Sequence, residues 1–240
     1  MSPDPRATGG ELGRGTPPPV EVAPSWDTGS NVNFFGHAVM AVFENDAPQF
    51  VLGAMLPDLS SMAGARIERV KDEAIAAGVE HHHRIDHAFH ACAPFVRLCS
   101  SALETLEARG VSRAAARAVA HVGSELLLDG ALSTRDDALH AYRQALRSAL
   151  AERTSERIAF RGEAQSDDMH TLLARLADAP LPGAYRDPMF VHARLRTILA
   201  RRPRLALQAN EHQPVLAWLH EASARIEQDA DAIIELLRTA

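Results

Sequence analysis

From Asn31 onward apolar residues recur at helical spacing, and no segment alternates with the period of two that marks a half-buried strand. Asn33 is placed to cap a first helix over Phe34 to Glu44. Pro48 opens a short apolar helix, Gln49 to Leu56, which Pro57-Asp58 closes. A polar helix is predicted over Ile67 to Ala77, stopped by Gly78. A histidine-rich helix follows, kinked or broken at Pro94, and continues to Gly110. Ser112 can cap the next helix, which reaches about Leu132. Further helices fall at 135–152, 167–178, 188–200 and 212–238, with Asp187-Pro188 as a helix start and 153–166 as a polar loop. The prediction is one all-α domain over 31–240 with about eight or nine helices. Residues 1–30 hold six Pro and five Gly with almost no periodic apolar residues, and read as a disordered leader.

Composition agrees with this. The chain has 46% apolar residues, enough for a sizeable core, but only 5% aromatics, a balance that favours helix over strand. The formal charge of -6 argues against nucleic acid as the main partner. Cys92 and Cys99, seven apart, suit one helix face, where a disulfide between them is awkward, and two thiols without a paired framework suit a reducing cytoplasm. No apolar run approaches the roughly 20 residues that span a bilayer. No apolar segment follows a basic start, so a signal peptide is not expected.

The densest chemistry lies in His81-His82-His83-Arg84-Ile85-Asp86-His87-Ala88-Phe89-His90. Imidazole and carboxylate hold borderline divalent metals. On a helix, His82, Asp86 and His90 form one row, His83 and His87 lie beside it, and Ile85, Phe89, Cys92 and Val96 form the adjoining apolar stripe. The alternative is a solvated histidine face with no ligand. His121, Glu125 and Asp129 step by four along a largely apolar helix, where ionisable groups are expensive unless paired or bound to a cation. An ordinary His–Glu contact and a helix-end Asp fit the same spacing. His37 and Asp58 sit in apolar surroundings and offer the ligands that one helix cannot supply, or are a core His and a helix-end Asp. Arg194, Arg196, Arg201, Arg202 and Arg204 form a basic cluster, which is either a solvated helix end or a docking patch for an acidic partner or phosphate.

Four segments occur in an order that resembles one family. They are Asn33-Phe34-Phe35-Gly36-His37, then Gly53-Ala54-Met55-Leu56-Pro57-Asp58, then the stretch from Gly78 to His82-His83-Arg84-Ile85-Asp86, and last Arg201-Arg202-Pro203-Arg204-Leu205. The family is the acyl-carrier-protein phosphodiesterases, a helical branch of the HD-domain metal phosphohydrolases. The likeness runs from about residue 31 to the C-terminus. It implies an HD-like fold and a role in lipid metabolism. The activity implied is release of 4′-phosphopantetheine from holo acyl carrier protein. The metal implied is divalent, manganese first, with magnesium, iron(II) or zinc as alternatives. By position His37, Asp58, His82 and Asp86 match the family's polar motif residues, as do Arg84 and the Arg201-Arg202 pair. Where the family has Trp-Asp-His, this chain reads Ser124-Glu125-Leu126; Glu125 can replace the acid, and His121 lies one turn earlier.

The mechanism these residues suggest is metal-assisted phosphodiester hydrolysis, with His37, Asp58, His82 and Asp86 as the metal set, Arg84, His121 and Glu125 as catalytic candidates, and one of the remaining His or Glu groups relaying the proton. Arg84 points away from the His82–Asp86 row on an ideal helix, so it reaches a phosphate only if the helix begins after it. The arginines would steer an acidic carrier protein. Two other readings use the same residues: an HD-like hydrolase acting on a small phosphorylated metabolite or nucleotide, and a non-enzymatic helical interaction protein.

Overall fold

The structure, a computed structural model, describes residues 34–161 and 164–239. The leader and the expected cap at Asn33 lie outside these residues. Helix α1 (Phe34–Glu44) is buried along its whole first eight residues, as an almost uniformly apolar sequence requires. Helix α2 (Pro48–Ala63) starts with Pro at its first turn and ends at Gly64, whose positive φ of 70° suits a residue with no Cβ. It does not close at Leu56. Pro57 sits inside the helix and forfeits one backbone bond, but Leu56 and Leu59 on either side are fully buried and hold the helix together. Asp58 is therefore an interior helical residue rather than a terminal one.

The predicted helix over 67–77 is also corrected. Ile67–Val70 forms strand β1, paired antiparallel with strand β2 (Ile158–Phe160) from the segment predicted as a loop. Strands this short carry too few residues to display alternation, and their partner lies some ninety positions away. Asp72 then caps helix α3 (Glu73–Ala91), accepting hydrogen bonds from the N–H groups of Ala74 and Ile75. Gly78 does not stop this helix; it lies in its interior. Pro94 breaks the helix as predicted: Cys92 is extended, and helix α4 (Ala93–Ala108) begins with Pro in its first turn.

Next comes a continuous rod, made of α5 (Arg113–Ala118), a π-helical turn (Val119–Gly123) and α6 (Ser124–Leu132). The Ser112 hydroxyl does not cap it; the Ser112 N–H instead donates to Glu211 Oε1 at 2.7 Å. Helices α7 (Asp136–Ala151), α8 (Ala164–Asp178), α9 (Pro188–Leu199) and α10 (His212–Arg238) complete the chain close to their predicted bounds, and Asp187 caps α9 through the Met189 N–H. Counting the rod once gives nine helices among the described residues, with the two-stranded ribbon as the small β element. No helix there is long and apolar enough to cross a membrane. Cys92 and Cys99 are free thiols.

Two features fix the centre. Asp129 of α6 is fully buried and accepts hydrogen bonds from the N–H groups of Phe35 (3.2 Å) and Gly36 (2.7 Å) at the start of α1. It thereby serves orphan donors that the buried helix end would otherwise leave unpaired. Burial pushes its carboxyl pKa well up, against the pull of those two bonds. Separately, α2 and α3 cross with their backbones in contact. A Cβ on Gly53 would lie 2.2 Å from the Ile75 carbonyl oxygen, and one on Gly78 would lie 2.2 Å from that of Phe50. Alanine at residue 78 would gain about 1 kcal/mol of helix propensity but must push two helices apart. Gly78→Ala is expected to lower unfolding free energy in urea by about 2 kcal/mol net; a stabilised variant would mean that the helices are not in contact there.

Candidate metal centre

The α2–α3 contact sets the site. Because the backbones touch at Gly53 and Gly78, the next turn of α3 brings His82 Nδ1 to 2.8 Å from the Ala54 carbonyl oxygen. A carbonyl only accepts, so Nδ1 carries the proton and Nε2 keeps its lone pair. Burial holds the His82 pKa down at about 4, despite the Ala54 bond and the nearby Asp86. The ring is thus neutral near pH 7 and its free nitrogen is a ligand rather than a cation.

Helix α1 adds His37, whose ring lies 3.9 Å from that of His82, centroid to centroid. His37 Nε2 lies 3.8 Å from Asp58 Oδ2 of α2 and 4.0 Å from Asp86 Oδ1 of α3. Burial, then the surrounding imidazoles, push the His37 pKa well down. His37, Asp58 and His82 are all buried, and one donor atom from each lies within 4.8 Å of the others. Nδ1 of His37 is buried with no hydrogen-bond partner among the described residues.

The row predicted on α3 continues the site. His90 Nε2 lies 3.1 Å from Asp86 Oδ1, one turn away. Burial raises the Asp86 pKa, but the His90 bond and the neighbouring imidazoles outweigh it, and the net direction is down. The rod then supplies His121, from its π turn, and Glu125. His121 Nε2 is 3.1 Å from Glu125 Oε1, which is 3.9 Å from His90 Nε2, and the His90 and His121 rings stack at 4.9 Å. Burial pulls the His121 pKa down, yet the Glu125 carboxylate outweighs it and the net shift is upward. His90, His121 and Glu125 form a second group within 4.8 Å. Asp86 and His90, 29% and 23% exposed, are where the otherwise buried cluster meets solvent.

Seven residues from four helical rods thus form one polar chain. Six of them are the sequence-predicted site residues His37, Asp58, His82, Asp86, His121 and Glu125; the seventh, His90, stands on the row predicted for α3. Asp129 does not join them, because it caps α1. His83 and His87 are exposed. Arg84 is not brought to the cluster either. Its helix begins at Glu73, so it lies mid-helix, and its guanidinium pairs with Glu44 and His81. That trio lines a surface groove of about 470 Å³ between α1, α3 and α10. Arg201, Arg202 and Arg204 are exposed in the turn after α9.

Imidazoles gathered with carboxylates inside an apolar shell, one of them, His82, neutral and held in a fixed tautomer, suit a divalent cation. The fold and site therefore define an α-helical protein with a buried, cation-capable centre. The sequence matches the family model described as acyl carrier protein phosphodiesterase over residues 32–237, and the chain belongs to that family. Membership implies a phosphodiesterase hydrolase with acyl carrier protein as its substrate. No curated protein and no solved structure matches the chain.

The lowered pKa of His82 has a consequence for stability. Between its ordinary value of 6.5 and about 4, the unfolded chain takes up a proton that the folded chain refuses. Stability must therefore fall as pH drops through that window. His121, with a raised pKa, acts oppositely: its contribution is complete below 6.5 and fades as pH rises through the folded value. In metal-free protein, melting temperature is expected to fall from pH 7 to pH 4, with a shallower fall in His82→Asn. Identical slopes in the two proteins would rule out a neutral, buried His82.

Proposed function

We propose that the chain is a metal-dependent phosphodiesterase that releases 4′-phosphopantetheine from holo acyl carrier protein, on an HD-like helical scaffold. The family match over residues 32–237 supports the substrate class. The observation that carries the metal dependence is the convergence of His37, Asp58 and His82 from three helices within 4.8 Å. These residues, with Asp86, would hold the cation, manganese being the first choice. A divalent cation supplies Lewis-acid charge against a phosphoryl oxygen and lowers the pKa of water into the neutral range.

The protein's own groups do the rest. The Ala54 carbonyl fixes the His82 ring, so the ligand nitrogen is set before any metal arrives. Asp58 and Asp86 both contribute negative charge close to His37 Nε2. Asp86 and His90 stand at the solvent edge, the side from which a scissile phosphodiester reaches the cluster. Arg201, Arg202 and Arg204 are exposed and fit a docking role toward an acidic carrier. Arg84, paired with Glu44 and His81, has no part in this reading.

The test is incubation of holo acyl carrier protein with the enzyme and manganese, followed by mass spectrometry. The carrier should lose the mass of its prosthetic group, and a chelator should stop the reaction until manganese is restored. His82→Ala and Asp58→Asn should each reduce turnover by about 100-fold or more, because losing a ligand exceeds the 10–100-fold typical of its supporting partners. Arg201→Glu combined with Arg202→Glu should raise KM about tenfold, or ~1.4 kcal/mol, with kcat unchanged and the difference shrinking in high salt. A carrier whose mass never changes, beside turnover of a small phosphodiester unaffected by the arginine variant, would favour a small-metabolite hydrolase instead.

A further inference from the structure

The sequence offers His121 and Glu125 as catalytic candidates and places His90 on the row of His82 and Asp86. Their arrangement fits something else. His121 Nε2 and Glu125 Oε1 lie 3.1 Å apart, as do His90 Nε2 and Asp86 Oδ1. Two ligands at about 2.1 Å from one ion, at right angles, stand about 3 Å apart. The remaining separation, 3.9 Å from His90 Nε2 to Glu125 Oε1, approaches the roughly 4.2 Å of ligands on opposite sides of such an ion. Glu125 is 2% exposed, and its second oxygen, Oε2, is buried without a hydrogen-bond partner among the described residues. A buried carboxylate oxygen is costly in that state unless a cation shares it. His90 Nδ1 is likewise buried and without a partner there.

The position of Asp86 links this group to the first. The same oxygen, Oδ1, faces His37 Nε2 at 4.0 Å and His90 Nε2 at 3.1 Å. One carboxylate thus stands between two clusters of three donors, each within 4.8 Å. Two cations about 3.5–4 Å apart on a shared carboxylate clamp both the attacking and the leaving oxygen of a phosphoryl displacement.

We infer that His90, His121 and Glu125 form a second divalent-cation site, joined to the His37–Asp58–His82 site through Asp86. The inference rests on the proposed metal dependence of the first site and goes beyond it in number, in ligands and in the role of His90. The π turn that carries His121 is part of the same design, since a wider turn shifts one residue of the rod relative to its α-helical neighbours.

The test is a manganese(II) titration of the metal-stripped full-length protein, read by elemental analysis after dialysis and by low-temperature electron paramagnetic resonance. Wild type should bind two manganese ions per chain and show a spin-coupled signal. Glu125→Gln, His121→Ala and His90→Asn should each bind one, with the coupling lost. Asp58→Asn should also bind one, at the second site. Should the three buried substitutions, at Asp58, His121 and Glu125, fail to fold by circular dichroism, His90→Asn, at the solvent edge, decides the matter against wild type: two ions falling to one supports the second site, and an unchanged count overturns it. One ion in wild type, retained in His90→Asn and lost in Asp58→Asn, would overturn the second site and leave the first standing. One ion lost in His90→Asn and retained in Asp58→Asn would overturn the pair and the first site together. No binding in any variant would remove the metal reading itself.

Discussion

The site depends on two helices touching backbone to backbone. At Gly53 and Gly78 helices α2 and α3 approach closely enough that no side chain fits between them. That contact brings the Ala54 carbonyl within reach of His82 and so selects the ring's tautomer. It also sets Asp58, one turn further along α2, near the histidines of α3. A longer separation, as ordinary core side chains would impose, would leave His82 without its carbonyl and Asp58 without its cluster. Glycine here is unfavourable for helix propensity in both elements and is compensated by the geometry it permits.

The interior carries more ionisable groups than an apolar core tolerates cheaply. Asp129 is handled by structure alone: it takes the two N–H donors of α1 and locks that helix against the rod. Burying it in this way also fixes the depth of α1, and with it the position of His37. Asp58, Glu125, His37 and His121 are handled differently. They face one another across the junction of four rods. A ring kept neutral by burial, as His37 is, makes a poor ion-pair partner for a carboxylate and a good ligand. The same burial that holds His82 and His37 neutral therefore both destabilises the acidified protein and readies the site for a cation.

Much of this was legible in the sequence, but unevenly. The long helices were plain because their apolar periodicity persists over many turns, as in α7 and α10. His82, Asp86 and His90 could be put on one row because 3.6-residue spacing alone decides it. The ribbon was not legible, since Ile67–Val70 and Ile158–Phe160 are too short to reveal a period and pair across some ninety positions of the chain. Gly78 read as a helix stop because a glycine's local preference says nothing about a neighbour's backbone. Pro57 misled for a similar reason: burial of Leu56 and Leu59 outweighs one lost bond. Asp129 looked equivalent to His121 and Glu125, because all three share a spacing.

The sequence by itself determined a helical protein and most of the donors, for helical periodicity and side-chain chemistry are local properties. The tertiary structure alone decided which donors meet. It sent Asp129 to α1, Arg84 to Glu44, and His90 to a place between Asp86 and Glu125. Those choices depend on how deep each rod sits and how closely the backbones pass, and such distances are set by contacts between residues far apart in the chain.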